Sequence, residues 1–159
     1  MFSEIKKLLD VGYNQKYTTK DGIDAIFVQP ENWLDIATFL KENKDLGFDY
    51  LMCISSYDLN NGIYGVAYNL YSNSKKYYLE VRVEVESDVA VPSISSLWRS
   101  ADWHEREAFD MMGIVFEGHP NLKRILLSDD WEGHPLRKNY KEPDYYHGLP
   151  VPKDKSYWE

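Results

Sequence analysis

The sequence predicts an α+β domain, a small mixed but mainly antiparallel sheet packed with helices, followed by an extended C-terminal arm. Three observations predict it. Residues 77–86 alternate, with Tyr77, Leu79, Val81, Val83 and Val85 on one side and Glu80, Arg82, Glu84 and Glu86 on the other, the period of a half-buried antiparallel strand. Trp33, Ile36, Ala37 and Leu40 are spaced to share one face of a helix. From Glu117 onward neither period persists, and five of the seven prolines fall there, at 120, 135, 143, 150 and 152. The expected division is a domain over residues 1–116 and an arm over 117–159.

The elements follow in order. Residues 3–10 read as a short helix with Ile5, Leu8 and Leu9 on one face. Residues 22–28 read as a first strand. Pro30 and Glu31 then open a helix, because proline lacks an amide hydrogen that a first turn does not use. Residues 48–57 and 63–71 form a hairpin across Asn60-Asn61-Gly62, residue types that tolerate positive φ. Ser72-Asn73-Ser74 turns the chain into the strand over 77–86. Pro92 breaks it. Ser93 or Ser95 caps a helix that begins near Ile94, breaks near Ser100 and runs to about Met112, with Gly113 placed to end it. Ile114-Val115-Phe116 is a brief apolar return.

The arm is too apolar and aromatic for a solvated linker, with Leu122, Ile125, Leu126, Leu127, Trp131, Leu136 and Trp158 in it. A structureless segment of this length is unusual in a compact domain, so its order is expected to come from a partner protein. Residues 117–159 carry seven Lys/Arg against eight Asp/Glu, while the remainder carries 11 against 18. The arm is thus relatively basic, and its cation pairs Lys123-Arg124 and Arg137-Lys138 suit carboxylate-lined surfaces.

Composition narrows the function. With 159 residues, 43% hydrophobic and 28% charged, the chain suits one globular domain. Its net charge of −8 argues against nucleic acid and against a polybasic membrane anchor. No apolar run is long enough to span a bilayer, and the N-terminal residues lack the order of a secretory signal, which makes a cytoplasmic location the default. Cys53 is the sole cysteine, so this chain alone can hold neither a disulfide nor an iron–sulfur cluster. Within an apolar strand such a cysteine is expected to be a small core residue.

Candidate chemistry centres on one helix. Glu105, Arg106, Glu107 and Asp110 place Arg106 and Asp110 four apart and Glu107 and Asp110 three apart, as surface neighbours. Glu107 and Asp110 could form an acid/base pair, but an ion-paired helix face is the commoner origin of the pattern. Alternatively, Arg106 and its carboxylates organise the root of the arm or a subunit contact. His104, His119, His134 and His147 match no zinc spacing. The repeated Gly-His-Pro at 118–120 and 133–135 reads as two tight turns in which histidine bonds locally.

The run from Glu105-Arg106-Glu107 through Asp110, Gly113, Gly118-His119-Pro120 and Leu122-Lys123-Arg124-Ile125-Leu126 continues to Asp130-Trp131, Gly133-His134-Pro135-Leu136-Arg137-Lys138 and Tyr140. It resembles the C-subunit family of NADH–quinone oxidoreductases, the respiratory complex I group. Asn139 departs from an aspartate expected in many relatives, and the first hundred residues match only in the order of elements. The resemblance implies an α+β domain with an extended arm and no catalytic residue, flavin, cluster or metal of its own. FMN and Fe–S clusters belong to partner subunits of a complex that passes electrons from NADH to quinone and pumps protons. The implied partners are the quinone-site D-subunit foremost, then the B- and I-subunits, on the cytoplasmic side of the cell membrane and touching it only through the complex. The implied interface carries Glu105, Arg106, Glu107, Asp110, His119, Pro120, Lys123, Arg124, Trp131, His134, Pro135, Arg137 and Lys138. Arg106 and Arg137 are expected to face partner carboxylates. The rival readings are the equivalent subunit of a membrane-bound hydrogenase or a reduced-deazaflavin dehydrogenase, and a stand-alone metal-dependent hydrolase using Glu107, Asp110 and the histidines.

Overall fold

The computed structural model describes residues 2–10, 16–20 and 23–151. Gly22 of the expected first strand, and Pro152 and Trp158 of the arm, lie outside the described residues. The elements are α1 (Phe2–Asp10), β1 (Lys16–Lys20), β2 (Ile23–Val28), α2 (Pro30–Glu42), β3 (Tyr50–Asp58), β4 (Ile63–Ser72), β5 (Tyr77–Glu86), β6 (Val91–Pro92), α3 (Ala101–Met112), β7 (Phe116–Glu117), β8 (Tyr145–Tyr146) and β9 (Leu149–Pro150). Five strands form one sheet in the order β1-β2-β5-β4-β3, with β2 and β5 parallel and the other neighbours antiparallel.

One face of this sheet carries the core. Leu79, Val81, Val83 and Val85 of β5 are buried as their alternation demands, together with Val66, Tyr68 and Leu70 of β4 and Ile26 and Val28 of β2. Trp33, Ile36, Ala37 and Leu40 of α2, each 0% exposed, join the same cluster with Ile5 and Leu9 of α1 and Ala101, Ala108 and Met112 of α3. Trp33 packs on Tyr68 with ring centroids 4.4 Å apart. The other face is polar. There Asn69 Nδ2 donates to Cys53 Sγ at 3.0 Å, Tyr78 bonds Asn69, and Arg82 pairs with Glu80.

Two sequence expectations are corrected and one strand is added. Cys53 is half-buried on the polar face rather than in the core. The cause is a bulge in β3, where the register shifts between Leu51 and Cys53; the extra residue resets the alternation, so Leu51 and Ile54 both face inward. The added strand, β1, unpredicted from Lys-Tyr-Thr-Thr-Lys, pairs its backbone antiparallel with β2. The second correction concerns the helix expected from Ile94. The segment makes a single turn, with Leu97 and Trp98 N–H both donating to Ile94 O at 2.9 and 3.0 Å, and α3 starts only at Ala101. Neither serine is its cap: Ser93 is bonded to Glu105, and Ser95 to Ser93.

Pro92 sits inside a short parallel ladder. Val91 N–H donates to Val115 O at 2.9 Å and Ser93 N–H to Glu117 O at 2.8 Å. Alternate residues supply the donors, so proline's missing amide hydrogen is not needed. This ladder brings the chain before α3 beside the chain after it, which closes the site described next.

Candidate functional site

The charged residues of α3 do not form one surface strip. Glu105 and Asp110 are 0% exposed and Arg106 is 8% exposed, whereas Glu107 is exposed. The helix points its two buried carboxylates into two different loops.

The first clasp holds Glu105. Its Oε2 accepts from Ser93 Oγ at 2.6 Å and its Oε1 from Ile94 N–H at 2.8 Å. His119 closes over it, with a side chain 0% exposed and Nε2 3.9 Å from Glu105 Oε2. Asn121 N–H donates to His119 Nδ1 at 3.0 Å. Nδ1 is therefore an acceptor, and the ring hydrogen sits on Nε2, 3.2 Å from Asp102 O and 3.3 Å from Asp102 Oδ1. Burial pushes the Glu105 carboxyl above its ordinary range, against the opposing pull of Ser93, Ile94 N–H and His119.

The second clasp holds Asp110. Its Oδ2 accepts from three successive amides, Ile125, Leu126 and Leu127, at 3.0, 2.7 and 3.0 Å, and its Oδ1 from Arg124 Nη1 at 2.7 Å. Burial opposes its ionisation, but these four donors outweigh burial and hold the carboxyl below its usual value. Arg124 Nη2 goes on to Trp131 O at 3.0 Å and Gly133 O at 2.9 Å, tying the loop to itself. With its oxygens so engaged, Asp110 is a structural anion and not the base of an acid/base pair with Glu107.

The same segment caps the helix. The last carbonyls of an α-helix lack internal donors, and its C-terminus favours cations. His134 Nδ1 lies 2.9 Å from Asp110 O, Leu136 N–H donates to Met111 O at 3.1 Å, and Arg137 Nε donates to Met112 O at 2.7 Å. Gly113 makes this possible. It adopts φ 71°, and a Cβ there would stand 2.4 Å from Arg137 Nη2 and 2.5 Å from His134. Burial lowers the His134 imidazole below its ordinary value, the neighbouring Arg137 and Arg124 charges adding to it.

The remaining expected residues fall around these clasps. Each cation pair splits. Arg124 and Arg137 turn inward, while Lys123 and Lys138 are exposed, and Lys138 N–H donates to Asp58 Oδ2 at the end of β3 at 2.9 Å. Arg106 Nε reaches Lys123 O at 3.3 Å, with its guanidinium 4.9 Å from the Trp103 ring centroid. Within this chain, Arg106 and Arg137 both bind backbone carbonyls. Trp131 Nε1 donates to Tyr140 OH at 3.1 Å, Pro135 is half-buried, and Pro120 is exposed beside Gly118. The two Gly-His-Pro turns are more than local, since both histidines reach α3. Ser93, Asp102 and Asp58 belong to the site but carry no signal for it in the sequence, because their partners lie far along the chain. Among the described residues no three His, Cys, Asp or Glu side chains gather to hold a metal ion, and no helix is long and apolar enough to cross a membrane.

A family model described as "Respiratory-chain NADH dehydrogenase, 30 Kd subunit" matches residues 26–146. The match thus extends well into the part whose sequence shows only the order of elements. The C-subunit of the NADH-quinone oxidoreductase of Chloroherpeton thalassium is 44% identical over 153 residues, covering 95% of this chain; the chain spans 61% of that relative's length. The J-subunit of the NAD(P)H-quinone oxidoreductase of Prochlorococcus marinus is 43% identical over 134 residues, covering 79% of this chain and 76% of its own. The fold is similar to a chain of the membrane-bound sulfane sulfur reductase, an archaeal respiratory membrane complex, with a TM-score of 0.73 at 20% identity over 87% of this chain and 84% of that one.

Proposed function

The chain belongs to the respiratory-chain NADH dehydrogenase 30 Kd subunit family, and from that premise we propose that it is a cofactor-free structural subunit of a proton-pumping NADH–quinone oxidoreductase. It docks on the quinone-site D-subunit, with the B- and I-subunits close by, in the peripheral arm on the cytoplasmic side of the membrane. FMN and Fe–S clusters in partner subunits carry electrons from NADH to quinone. The share of this chain is mechanical.

One observation carries the reading. The segment clasped to α3 nonetheless shows water large apolar side chains, Leu126 at 60% exposed and Leu136 at 57%, with Tyr145 at 68% and Leu149 at 70% beyond it and Trp103 of α3 at 64%. Its arginines bond within this chain, and beside the exposed Lys123 and Lys138 it offers a partner these apolar side chains, the type that dominates binding energy when buried at an interface. A tagged chain expressed with its partner subunits tests this. Trp103→Asp and Leu136→Asp should fold normally and co-purify much less of the quinone-site partner. Undiminished recovery of that partner with both variants would sink the proposal.

A further inference from the structure

We propose that Glu105 is a buried proton-binding site, its carboxyl protonated while the 118–121 loop is closed over it, so that proton release and the opening of that loop are one event. The geometry is that of a buried carboxyl sealed from arginine and lysine. Glu105 is 0% exposed. From the strand side it meets only the Ser93 hydroxyl and the Ile94 amide. From the loop it meets His119, whose Nε2 lies 3.9 Å from Oε2 and whose Nδ1 accepts from the Asn121 amide. From the sheet it faces Tyr68, a fully buried neutral phenol. On its own helix Asp102, one turn earlier, adds a like charge, and Arg106 turns away to the Lys123 carbonyl and the Trp103 ring.

An ionised Glu105 would therefore be a buried anion that neither arginine nor lysine pairs with, which is costly. A protonated Glu105 is a neutral acid able to donate to Ser93 Oγ, whose own hydrogen can pass to Ser95 Oγ at 2.8 Å. The raised carboxyl agrees with this, burial being the largest cause. The lid has a wet outer side. Gly118 and Pro120 line, with Ser95, Ser96, Arg99, Asp102 and Trp103, an open cleft of about 410 Å³. Gly118, at φ 79° and with nothing within 4 Å of where a Cβ would stand, is free to act as the hinge. Lifting His119 brings water from that cleft to Glu105.

The sign follows from linkage. A carboxyl raised in the folded chain contributes stability that is complete below its unfolded value and is lost as pH rises through the folded one. Unfolding of the full chain, measured from about pH 4 to about pH 9 for the wild type and Glu105→Gln, reads this directly. The wild type should lose stability relative to the variant as pH rises, by up to about tenfold in the folded-to-unfolded ratio per pH unit. Parallel profiles would overturn the proposal. A carbon-13 titration of glutamate carboxyls in the wild-type chain gives the same answer without any variant. One glutamate should titrate above all the others, and its value should drop towards theirs in His119→Ala, where water reaches it. Glutamates that all titrate together in the wild type would overturn it equally.

Discussion

Helix α3 is clasped twice, and the two clasps solve the problem of a buried carboxylate in opposite ways. At Asp110 the protein supplies a cation and three amides, so the charge is kept and the carboxyl is held low. At Glu105 it supplies one hydroxyl, one amide and, farther off, an imidazole, so burial dominates and the carboxyl is pushed up. Each clasp draws on a Gly-His-Pro turn, and both glycines take positive φ, yet the histidines do different work. His119 lies as a lid over a side chain, whereas His134 meets a carbonyl of the helix end. The difference teaches that an anion's partners, not its burial alone, decide whether it stays charged. It also makes the second clasp the firmer anchor in neutral solution.

That ranking can be broken by experiment. Asp110→Ala removes the acceptor of Arg124 and of three amides at once. It should cost about 3–5 kcal/mol, because the largely buried Arg124 guanidinium loses its counter-ion, as read by chemical denaturation. The gap between wild type and Asp110→Asn should close as pH falls below about 4, since a depressed carboxyl contributes stability above its unfolded value and loses it as the pH drops through the folded one. A gap that persists unchanged in acid would show that the charge is not what Asp110 contributes.

Gly113→Ala strains a left-handed residue and pushes against His134 and Arg137. It should cost about 1–3 kcal/mol and speed amide exchange at Leu136, leaving the Glu105 clasp undisturbed. Equal loosening of both clasps would argue that they are one cooperative unit. Arg106→Ala should cost only about 1 kcal/mol, the worth of one hydrogen bond to a carbonyl and a ring contact; a loss as large as that of Asp110→Ala would reverse the assignment of the two helix residues. The smallest effect belongs to His134. Its imidazole is lowered, so stability should decline modestly as pH falls through and below 6.5, and His134→Asn should flatten that decline in the same denaturation series.

Some of this was legible in the residues. The β5 alternation and the α2 stripe each place a whole element by a period of two or of 3.6 residues, and the structure buries Leu79, Val81 and Val83 with Trp33, Ile36 and Leu40 as those periods require. Gly113 was legible as a helix stop because few other residues take its φ. The ordered run from Glu105 to Tyr140 pointed to the family, and the residues it marked include both clasped carboxylates and both histidines. The order of the arm was not legible: the proline-rich texture suggested that a partner supplies it, yet residues 124–137 are tied to this chain's own α3.

The sequence by itself determined what depends on neighbours along the chain: the periods of strand and helix, the turn at Asn60-Asn61-Gly62, the helix stop at Gly113 and the family signature. Only the tertiary structure decided what depends on partners distant in sequence. The bulge that turns Cys53 out of the core, the split of each Lys/Arg pair into one inward and one outward cation, and the opposite fates of Glu105 and Asp110 are all of that kind. The physical reason is that propensity and periodicity act over a turn or a few strand positions. The electrostatic state of a buried side chain is instead set by donors that folding brings from 11 to 17 residues away, from Ile94 to Glu105 and from Leu127 to Asp110.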